Sequence, residues 1–360
     1  MTTRTLLAAA SAIALLALGA CNNDQSAGNQ TARAGIWAAG SSTVFPFATR
    51  VAENFARTSG GAAPRVESLG TGGGIQAFCQ GVGPNTPDIA NASRPMKASE
   101  FELCRTNGVT DIVEIKIGYD GIVVATARTG AAFNLRLQDL YLALAKETPG
   151  AGGASGGAFV ANPATMWNQI NPGLPAQRIQ VYGPPPTSGT RDAFLELGMA
   201  PGAQLLPALA AIKAADKDRF ETLAHTLRED NAWIDSGEND NAIVQTLNRT
   251  PGSLGVFGFS FLEQNLDTVK AETIDGVAPS AATIADGSYP LARSLYIYVK
   301  KQHVGVTPGL EQFVMEFMSE ASAGRGGYLQ DRGLVPLPAD QLEAQRAIAQ
   351  ALTVMSAPAK

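Results

Sequence analysis

The chain of 360 residues has little of what metal binding and nucleophilic catalysis require. It contains two histidines, His225 and His303, whose separation matches no metal-ligand spacing, so both are expected to be surface or packing residues. It lacks the phosphate-loop signature Gly-Lys-Ser/Thr. Residues 70–74 (GTGGG) fail the dinucleotide fingerprint because Ile75 stands where its third glycine belongs. No nucleophile can be paired with a base from sequence alone, so we predict no catalytic residue, no metal and no cofactor.

Charged residues are also scarce, at 16% of the chain, whereas apolar residues make up 45%. This balance is typical of a globular protein and argues against a disordered one. The net charge of −5 disfavours nucleic acid as a partner, because binding to a phosphate backbone needs a basic surface. Any anion that the protein recognises must therefore be held by local dipoles and a few arginines.

The N-terminus has the features of a bacterial export signal. One early charge, Arg4, precedes an apolar run at residues 6–18 that is too short to span a bilayer comfortably. The segment LGAC, which ends at Cys21, resembles the lipobox of lipoproteins, in which the cysteine is acylated and becomes the first residue. Cleavage at an ordinary signal peptidase site is the alternative. The predicted boundaries are 1–20 for a lipoprotein signal peptide and 21–35 for a flexible tether.

Two cysteines remain once Cys21 carries the palmitate, namely Cys79 and Cys104. An even count in an exported protein predicts a disulfide, which would close a loop of about 25 residues and contribute ~3 kcal/mol. Two buried free thiols are the alternative.

Strand and helix signals alternate along the chain. Apolar and β-branched runs predict strands at residues 36–39, 65–69, 88–92, 111–117, 121–127, 179–182, 253–259 and 296–299. Apolar residues spaced by three or four predict helices at residues 44–57, 75–80, 166–170 and 192–197. A run of Gly, Ala and Ser at residues 148–158 predicts a flexible surface loop. This order is that of an α/β protein.

Three short runs of glycine and hydroxyl residues stand directly before predicted helices, at residues 40–43 (GSST), 70–74 (GTGGG) and 187–190 (TSGT). The first turn of a helix has backbone N–H groups without partners and a partial positive charge, so a phosphate or sulfate fits there. Hydroxyls add donors, and glycine lets the backbone come close. Taken singly, Ser41, Thr71 and Ser188 are also explained as N-caps. Together, the three runs predict an anion site.

Six segments carry a resemblance to a known family, and they span most of the mature chain in that family's order. They are residues 40–46 (GSSTVFP), 70–75 (GTGGGI), 90–95 (ANASRP), 119–123 (YDGIV), 188–192 (SGTRD) and 252–258 (GSLGVFG). As a set they resemble the phosphate-binding proteins of bacterial high-affinity phosphate ABC importers. The resemblance implies an α/β, periplasmic binding protein-like fold in which crossing hinge strands join two α/β lobes that close on the ligand. The implied boundaries are 36–118 with 290–360 for lobe I, and 119–289 for lobe II.

The resemblance also implies which residues bind the anion. From one lobe these are Ser42, Thr43, Val44, Thr71 and Gly72, and from the other Ser188, Gly189 and Thr190. The best-known members have an aspartate where this chain has Arg94, and an arginine where it has Pro184. Arg94 and Arg191 are therefore expected to supply the cationic fork that holds the anion.

Selectivity depends on a proton. Phosphate near neutral pH carries at least one O–H and benefits from a buried acceptor, whereas sulfate has none and is repelled by a carboxylate. With the family aspartate replaced, Asp192 and Asp120 are the candidate acceptors, and the alternative for each is that it caps a helix or a turn. A site without such an acceptor would tolerate sulfate.

The sequence thus predicts a phosphate receptor, not an enzyme, held to a membrane only by lipid on Cys21, in the periplasm or at the cell surface. Its expected partners are phosphate and the permease and ATPase subunits of an inner-membrane ABC importer. One alternative is a receptor for sulfate, molybdate or tungstate. Others are a phosphoester hydrolase that uses the same pocket and a sensory or scavenging lipoprotein without a transporter.

Overall fold

The computed structural model describes residues 35–150, 158–237 and 239–359. The predicted signal peptide, Cys21 and all but the last residue of the predicted tether lie outside the described residues. Within the described ranges, the chain forms the strands β1 (Trp37–Gly40), β2 (Arg65–Ser68), β3 (Ile89–Ala92), β4 (Ile112–Ala127), β5 (Asn134–Leu135), β6 (Glu147–Pro149), β7 (Phe159–Ala161), β8 (Val181–Gly183), β9 (Trp233–Asp235), β10 (Leu254–Gly258), β11 (Val269–Ala271), β12 (Thr273–Ile274) and β13 (Ala292–Lys300).

The helices of the same ranges are α1 (Phe45–Ser59), α2 (Gly70–Phe78), α3 (Ala98–Thr106), α4 (Leu137–Leu144), α5 (Trp167–Ile170), α6 (Gly189–Phe194), α7 (Ala200–Gln204), α8 (Pro207–Ala215), α9 (Lys217–His225), α10 (Asp240–Arg249), α11 (Phe259–Gln264), α12 (Ala281–Ala285), α13 (Leu310–Phe317), α14 (Glu320–Ala323) and α15 (Ala339–Ala351). A π-helical turn at Leu195–Met199 joins α6 to α7. Short 3₁₀ turns lie at Lys301–His303 and Gln330–Arg332.

The main sheet has the strand order β2-β1-β3-β13-β4-β10-β8-β9, and β11 also pairs with β4. Strand β1 runs parallel to β2 and β3, and β8 runs parallel to β9 and β10. By contrast, β13 is antiparallel to both β3 and β4, and β10 is antiparallel to β4. Two small sheets pair β12 with β5 and β6 with β7. The parallel pairs place the turns after β1 and β3 at one edge of the sheet.

Strand β4 unites the two β-branched runs that the sequence showed at residues 111–117 and 121–127. It pairs with β13 as far as Gly121 and with β10 from Ile122 onwards, so its partner changes in the middle. Nearly all of β4 is buried, because elements cover both of its faces, and this accounts for its almost continuous apolar sequence. Arg293 of β13 lies opposite Asp120 of β4, just before the change of partner.

Most predicted elements are confirmed, with ends that differ by a few residues, but α2 is an exception. It was predicted to begin at Ile75 and begins instead at Gly70, so the glycine-rich run forms its first half. The reason lies in its packing on β1: a Cβ on Gly74 would lie 2.3 Å from the Gly40 Cα. The segment predicted as a loop at 148–158 begins within the hairpin strand β6, and its residues 151–157 lie outside the described residues.

A large core cluster includes the buried faces of α1, β4, α10 and α13, and a second, smaller cluster lies between α2, β3 and α3. In the smaller cluster, Cys79 and Cys104 form a disulfide that joins the end of α2 to α3. Within the described ranges, no single helix is both long and apolar enough to cross a membrane. One pair of helices bent by 107°, Gly189–Gln204 and Pro207–Ala215, passes that test by length and composition.

Candidate functional site

Two of the three glycine-hydroxyl runs meet at one cavity of about 590 Å³. Ser42 and Thr43, from the turn after β1, line it on one side. Opposite them are residues 187–190, at the start of α6, and the remaining lining includes Asp120, residues 239–241 and residues 331–333. Segments that are far apart in sequence therefore present hydroxyl, amide and charged groups to a common space.

Gly189 allows the two turns to approach each other closely. A Cβ at this position would lie 2.9 Å from the Ser42 carbonyl oxygen and 3.0 Å from the Thr43 Cα. Because both of these atoms belong to the backbone, a side chain at position 189 would push the turns apart. The glycine of the TSGT run thus serves a close approach of two backbone segments.

Both turns lead directly into helices. Helix α1 has Val44 as its N-cap, without a side-chain cap, and Val44 is fully buried. Helix α6 has Ser188 as its N-cap, and the Ser188 Oγ accepts a hydrogen bond from the Thr190 N–H at 3.2 Å. The N-cap reading of Ser188 is thus correct, and the same residue also lines the cavity. Two helix N-termini bring partial positive charge to this space.

Asp192 lies in the first turn of α6, where it joins the two turns. Its Oδ2 accepts a hydrogen bond from the Ser42 Oγ at 2.7 Å. Because the Ser42 hydroxyl donates its only proton to this hydrogen bond, the Ser42 oxygen can only accept a further hydrogen bond. Asp192 is not among the residues that line the cavity.

Asp120 lines the cavity and is buried, and it lies beside Arg293, whose side chain is largely buried. The Arg293 Nε lies 3.4 Å from the Asp120 Oδ2, and neither atom has a hydrogen-bond partner among the described residues. The same guanidinium donates to the Thr43 Oγ1 at 2.5 Å and pairs with the carboxylate of Glu196. Burial raises the pKa of Asp120 above its ordinary value; Arg293 opposes this rise, and Glu196 adds to it.

The second glycine run lies outside this cavity. The Thr71 Oγ1 lies 3.0 Å from the Ser93 Oγ and accepts a hydrogen bond from the Ser93 N–H at 3.1 Å, which ties α2 to the end of β3. Gly72 is exposed within α2. The roles of Thr71 and Gly72 in anion binding stay predictions.

The two arginines expected to form a cationic fork point to other partners. Arg94 donates to both carboxylate oxygens of Glu100, at 2.9 and 2.6 Å. Arg191 donates to the Asp235 Oδ1 at 2.5 Å, and its guanidinium lies 5.2 Å from the centre of the Trp233 ring. Neither arginine lines the cavity, and their part in anion binding also stays a prediction.

The sequence reasoning missed Arg293, which is the arginine beside Thr43 and Asp120. A signal for it existed, since Arg293 is the single charge between Leu291 and the apolar residues 295–299. Asn91, within β3, has a fully buried side-chain amide with no hydrogen-bond partner in the described part of the chain, but it does not line the cavity. In the same part, no three His, Cys, Asp or Glu side chains cluster as metal ligands.

Comparisons with known proteins agree with this architecture. A PBP superfamily domain matches residues 25–321. The chain is 32% identical to Protein SphX of Synechocystis sp., covering 91% of this chain and 84% of the relative. It is 30% identical to Phosphate-binding protein PstS of Staphylococcus saprophyticus, covering 90% and 87%. The crystal structure of a possible phosphate binding protein from Planctomyces limnophilus shares 26% identity, covers 88% of this chain and 97% of its own, and superposes with a TM-score of 0.67.

These matches extend over most of the described chain and confirm the predicted α/β, binding-protein fold. The SphX and PstS relatives named above align along 84% and 87% of their own length, so the similarity concerns nearly whole proteins. The chain therefore belongs to the PBP superfamily, among relatives that include phosphate-binding proteins.

Proposed function

We propose that this protein is a receptor that binds inorganic phosphate in the cavity between the turn at residues 40–43 and the turn at residues 187–190. One observation carries the proposal: two helix N-termini, both with serine and threonine hydroxyls, open onto a single cavity that also holds a buried carboxylate. Such N-termini bind tetrahedral oxyanions. The name of the staphylococcal relative supports phosphate as the anion.

In the proposed complex, the donors are the backbone N–H groups of Thr43 and Gly189 and the hydroxyls of Thr43, Ser188 and Thr190. The role of Val44, which does not line the cavity, would require its N–H to leave the Ser41 Oγ, to which it donates at 3.4 Å. Of the two candidate acceptors, we favour Asp120 for the phosphate proton. Asp120 lines the cavity and its Oδ2 has no hydrogen-bond donor within the described residues, whereas Asp192 already accepts from Ser42. Since sulfate offers no proton, an ionised Asp120 would disfavour it.

The two-lobe arrangement belongs to the proposal, with lobe I at 36–118 plus 290–360 and lobe II at 119–289. The proposal also includes the anion-binding roles of Thr71, Gly72, Arg94 and Arg191. Hinge closure would have to carry these residues to the ligand, and the two arginines would first have to leave Glu100 and Asp235.

We also propose that lipid on Cys21 anchors the receptor in the periplasm or at the cell surface, and that it delivers phosphate to the permease and ATPase of an ABC importer. Cys21→Ala should release soluble protein that still binds phosphate. An unacylated N-terminus at another residue, seen by mass spectrometry, would end the anchoring proposal.

Isothermal titration calorimetry of the purified protein tests the function, and a matched pair of variants tests the site. Ser188 and Ser280 are both N-caps, with hydroxyl oxygens that accept from a backbone N–H at 3.2 and 3.1 Å, but only Ser188 lines the cavity. Each serine-to-alanine change should lower the free energy of unfolding by about 1 kcal/mol. Only Ser188→Ala should also weaken phosphate binding.

Equal phosphate affinity in the two variants would remove Ser188 from the site. Tighter binding of sulfate, molybdate or tungstate than of phosphate would change the ligand. Steady release of phosphate from a chromogenic ester would indicate a hydrolase instead of a receptor.

A further inference from the structure

The guanidinium of Arg293 connects three separate elements beside the cavity. It donates to the Thr43 Oγ1, in the turn after β1, at 2.5 Å. It lies 3.4 Å from the Asp120 Oδ2 on the neighbouring strand β4, and it pairs with Glu196 in the helical segment that follows the TSGT run. Its side chain is only 10% exposed. Arg293 is therefore a largely buried cation in contact with two residues that line the cavity.

We propose that Arg293 is the positioning residue that makes this site prefer phosphate to sulfate, because it orients the Thr43 hydroxyl as a donor and holds Asp120 as an acceptor. This inference rests on the proposed function, since it concerns the same cavity and the same anion.

The orientation of Thr43 follows from the chemistry of the two groups. A guanidinium has only donors, so in its contact with Arg293 the hydroxyl oxygen of Thr43 must accept. The single proton of that hydroxyl remains. Thr43 donates this proton to the Gly189 carbonyl oxygen at 3.5 Å, the outer limit of a hydrogen bond. Because this hydrogen bond is long, an anion oxygen that comes closer than the carbonyl can take the proton instead.

The charge state of Asp120 depends on its neighbours. Burial favours the neutral carboxyl and raises its pKa; Arg293 favours the carboxylate, and Glu196 opposes it. The other charged residues that line the cavity are Asp240, Asp331 and Arg332, and the Asp240 Oδ2 accepts a hydrogen bond from the Gly258 N–H. A carboxylate can accept the proton of phosphate but repels sulfate, whereas a protonated carboxyl can donate to either anion. Arg293 therefore determines how far into the acid range the selectivity persists.

The test measures phosphate and sulfate affinities by calorimetry between about pH 5 and pH 9 for the wild type and its variants. Arg293→Gln should weaken phosphate binding about 10- to 100-fold. It should also lower the ratio of phosphate affinity to sulfate affinity. The pH midpoint of this ratio, at which sulfate begins to bind, should shift to a higher pH. Arg293→Lys keeps the charge but not the planar fork, so it should retain more of the ratio than Arg293→Gln.

Glu196→Gln should move the same pH midpoint downward, because it removes the negative charge that opposes ionisation of Asp120. Shifts in opposite directions are not expected from a residue that only stabilises the fold. Arg136→Gln is the matched control: it breaks an arginine–carboxylate pair with Asp139 that lies outside the cavity lining, and it should leave the ratio and midpoint unchanged.

The outcomes separate this inference from the proposed function. A wild type that does not bind phosphate overturns the proposed function and this inference with it. A wild type that binds phosphate, with unchanged ratio and midpoint in both Arg293 variants, overturns the positioning role alone. If Arg293→Gln does not fold, Glu196→Gln decides, because its side chain is 54% exposed, and an unmoved midpoint then refutes the inference.

Discussion

Glu272 is expected to make the stability of this protein fall as the pH rises from acid to neutral. Its side chain is 3% exposed; the Oε2 accepts from the Phe133 N–H at 2.6 Å, and the Oε1 has no partner among the described residues. Burial raises its pKa to about 7, against the opposing effects of the Phe133 N–H and Lys270. A carboxyl with a raised pKa in the folded state favours folding only while it stays protonated.

The magnitude follows from the two pKa values, about 7 in the folded chain and 4.5 for a glutamate side chain in water. Below both values, the carboxyl is neutral in both states and contributes no pH dependence. Between them, the unfolded chain ionises first, so the free energy of unfolding decreases as the pH rises. Above about pH 7, the accumulated loss is roughly 3–4 kcal/mol, at about 1.4 kcal/mol for each pKa unit.

Urea unfolding at a series of pH values checks this expectation. Glu272→Gln keeps an acceptor for the Phe133 N–H and removes the ionisation, so it should stabilise the protein at pH 8 by roughly 3–4 kcal/mol and have little effect near pH 4. Glu311→Gln, an exposed position on α13, is the control and should follow the wild type. If Glu272→Gln and the wild type show the same dependence on pH, the reasoning is refuted.

Four further changes test other parts of the structure. Replacing Cys79 and Cys104 together by serine should lower the free energy of unfolding by about 3 kcal/mol in denaturant titrations, because it opens a loop with a sequence separation of 25. Gly189→Val should abolish phosphate binding in calorimetry, since its Cβ would lie 2.9 Å from a backbone oxygen of the opposite turn. Asp120→Asn should raise sulfate affinity relative to phosphate, and an unchanged ratio would dismiss it as the acceptor. Thr71→Val should weaken phosphate binding, whereas lost stability with unchanged affinity would limit Thr71 to its contacts with β3.

Much of the fold could be read from local sequence. The strand and helix at residues 36–39 and 44–57 were recognisable because a short apolar run and a spacing of three or four residues reflect which side chains are buried. The N-cap role of Ser188 was recognisable because it depends only on atoms two residues away. The start of α2 was misplaced, because glycine disfavours helices in isolation and only the packing of Gly74 on Gly40 explains its presence there.

The candidate site was only partly predictable, because it too depends on packing between segments that are distant in the sequence. The sequence identified Ser42, Thr43 and Ser188 as candidates because hydroxyls before a helix have a local signature. It could not show which of the candidates share a cavity. That depends on the close approach of the turn after β1 to Gly189, which lies 146 positions beyond Thr43 in the chain.

The sequence by itself determined the α/β order, the composition of a globular protein and the hydroxyl-rich helix starts, because these follow from neighbouring residues. Only the tertiary structure decided which charged groups meet. It paired Arg94 with Glu100 and placed Arg293 beside Asp120, in the register of β13 on β4. Charge interactions depend on distances of a few ångströms and on burial. Both quantities are set by strand register and packing between distant segments, which no local pattern encodes.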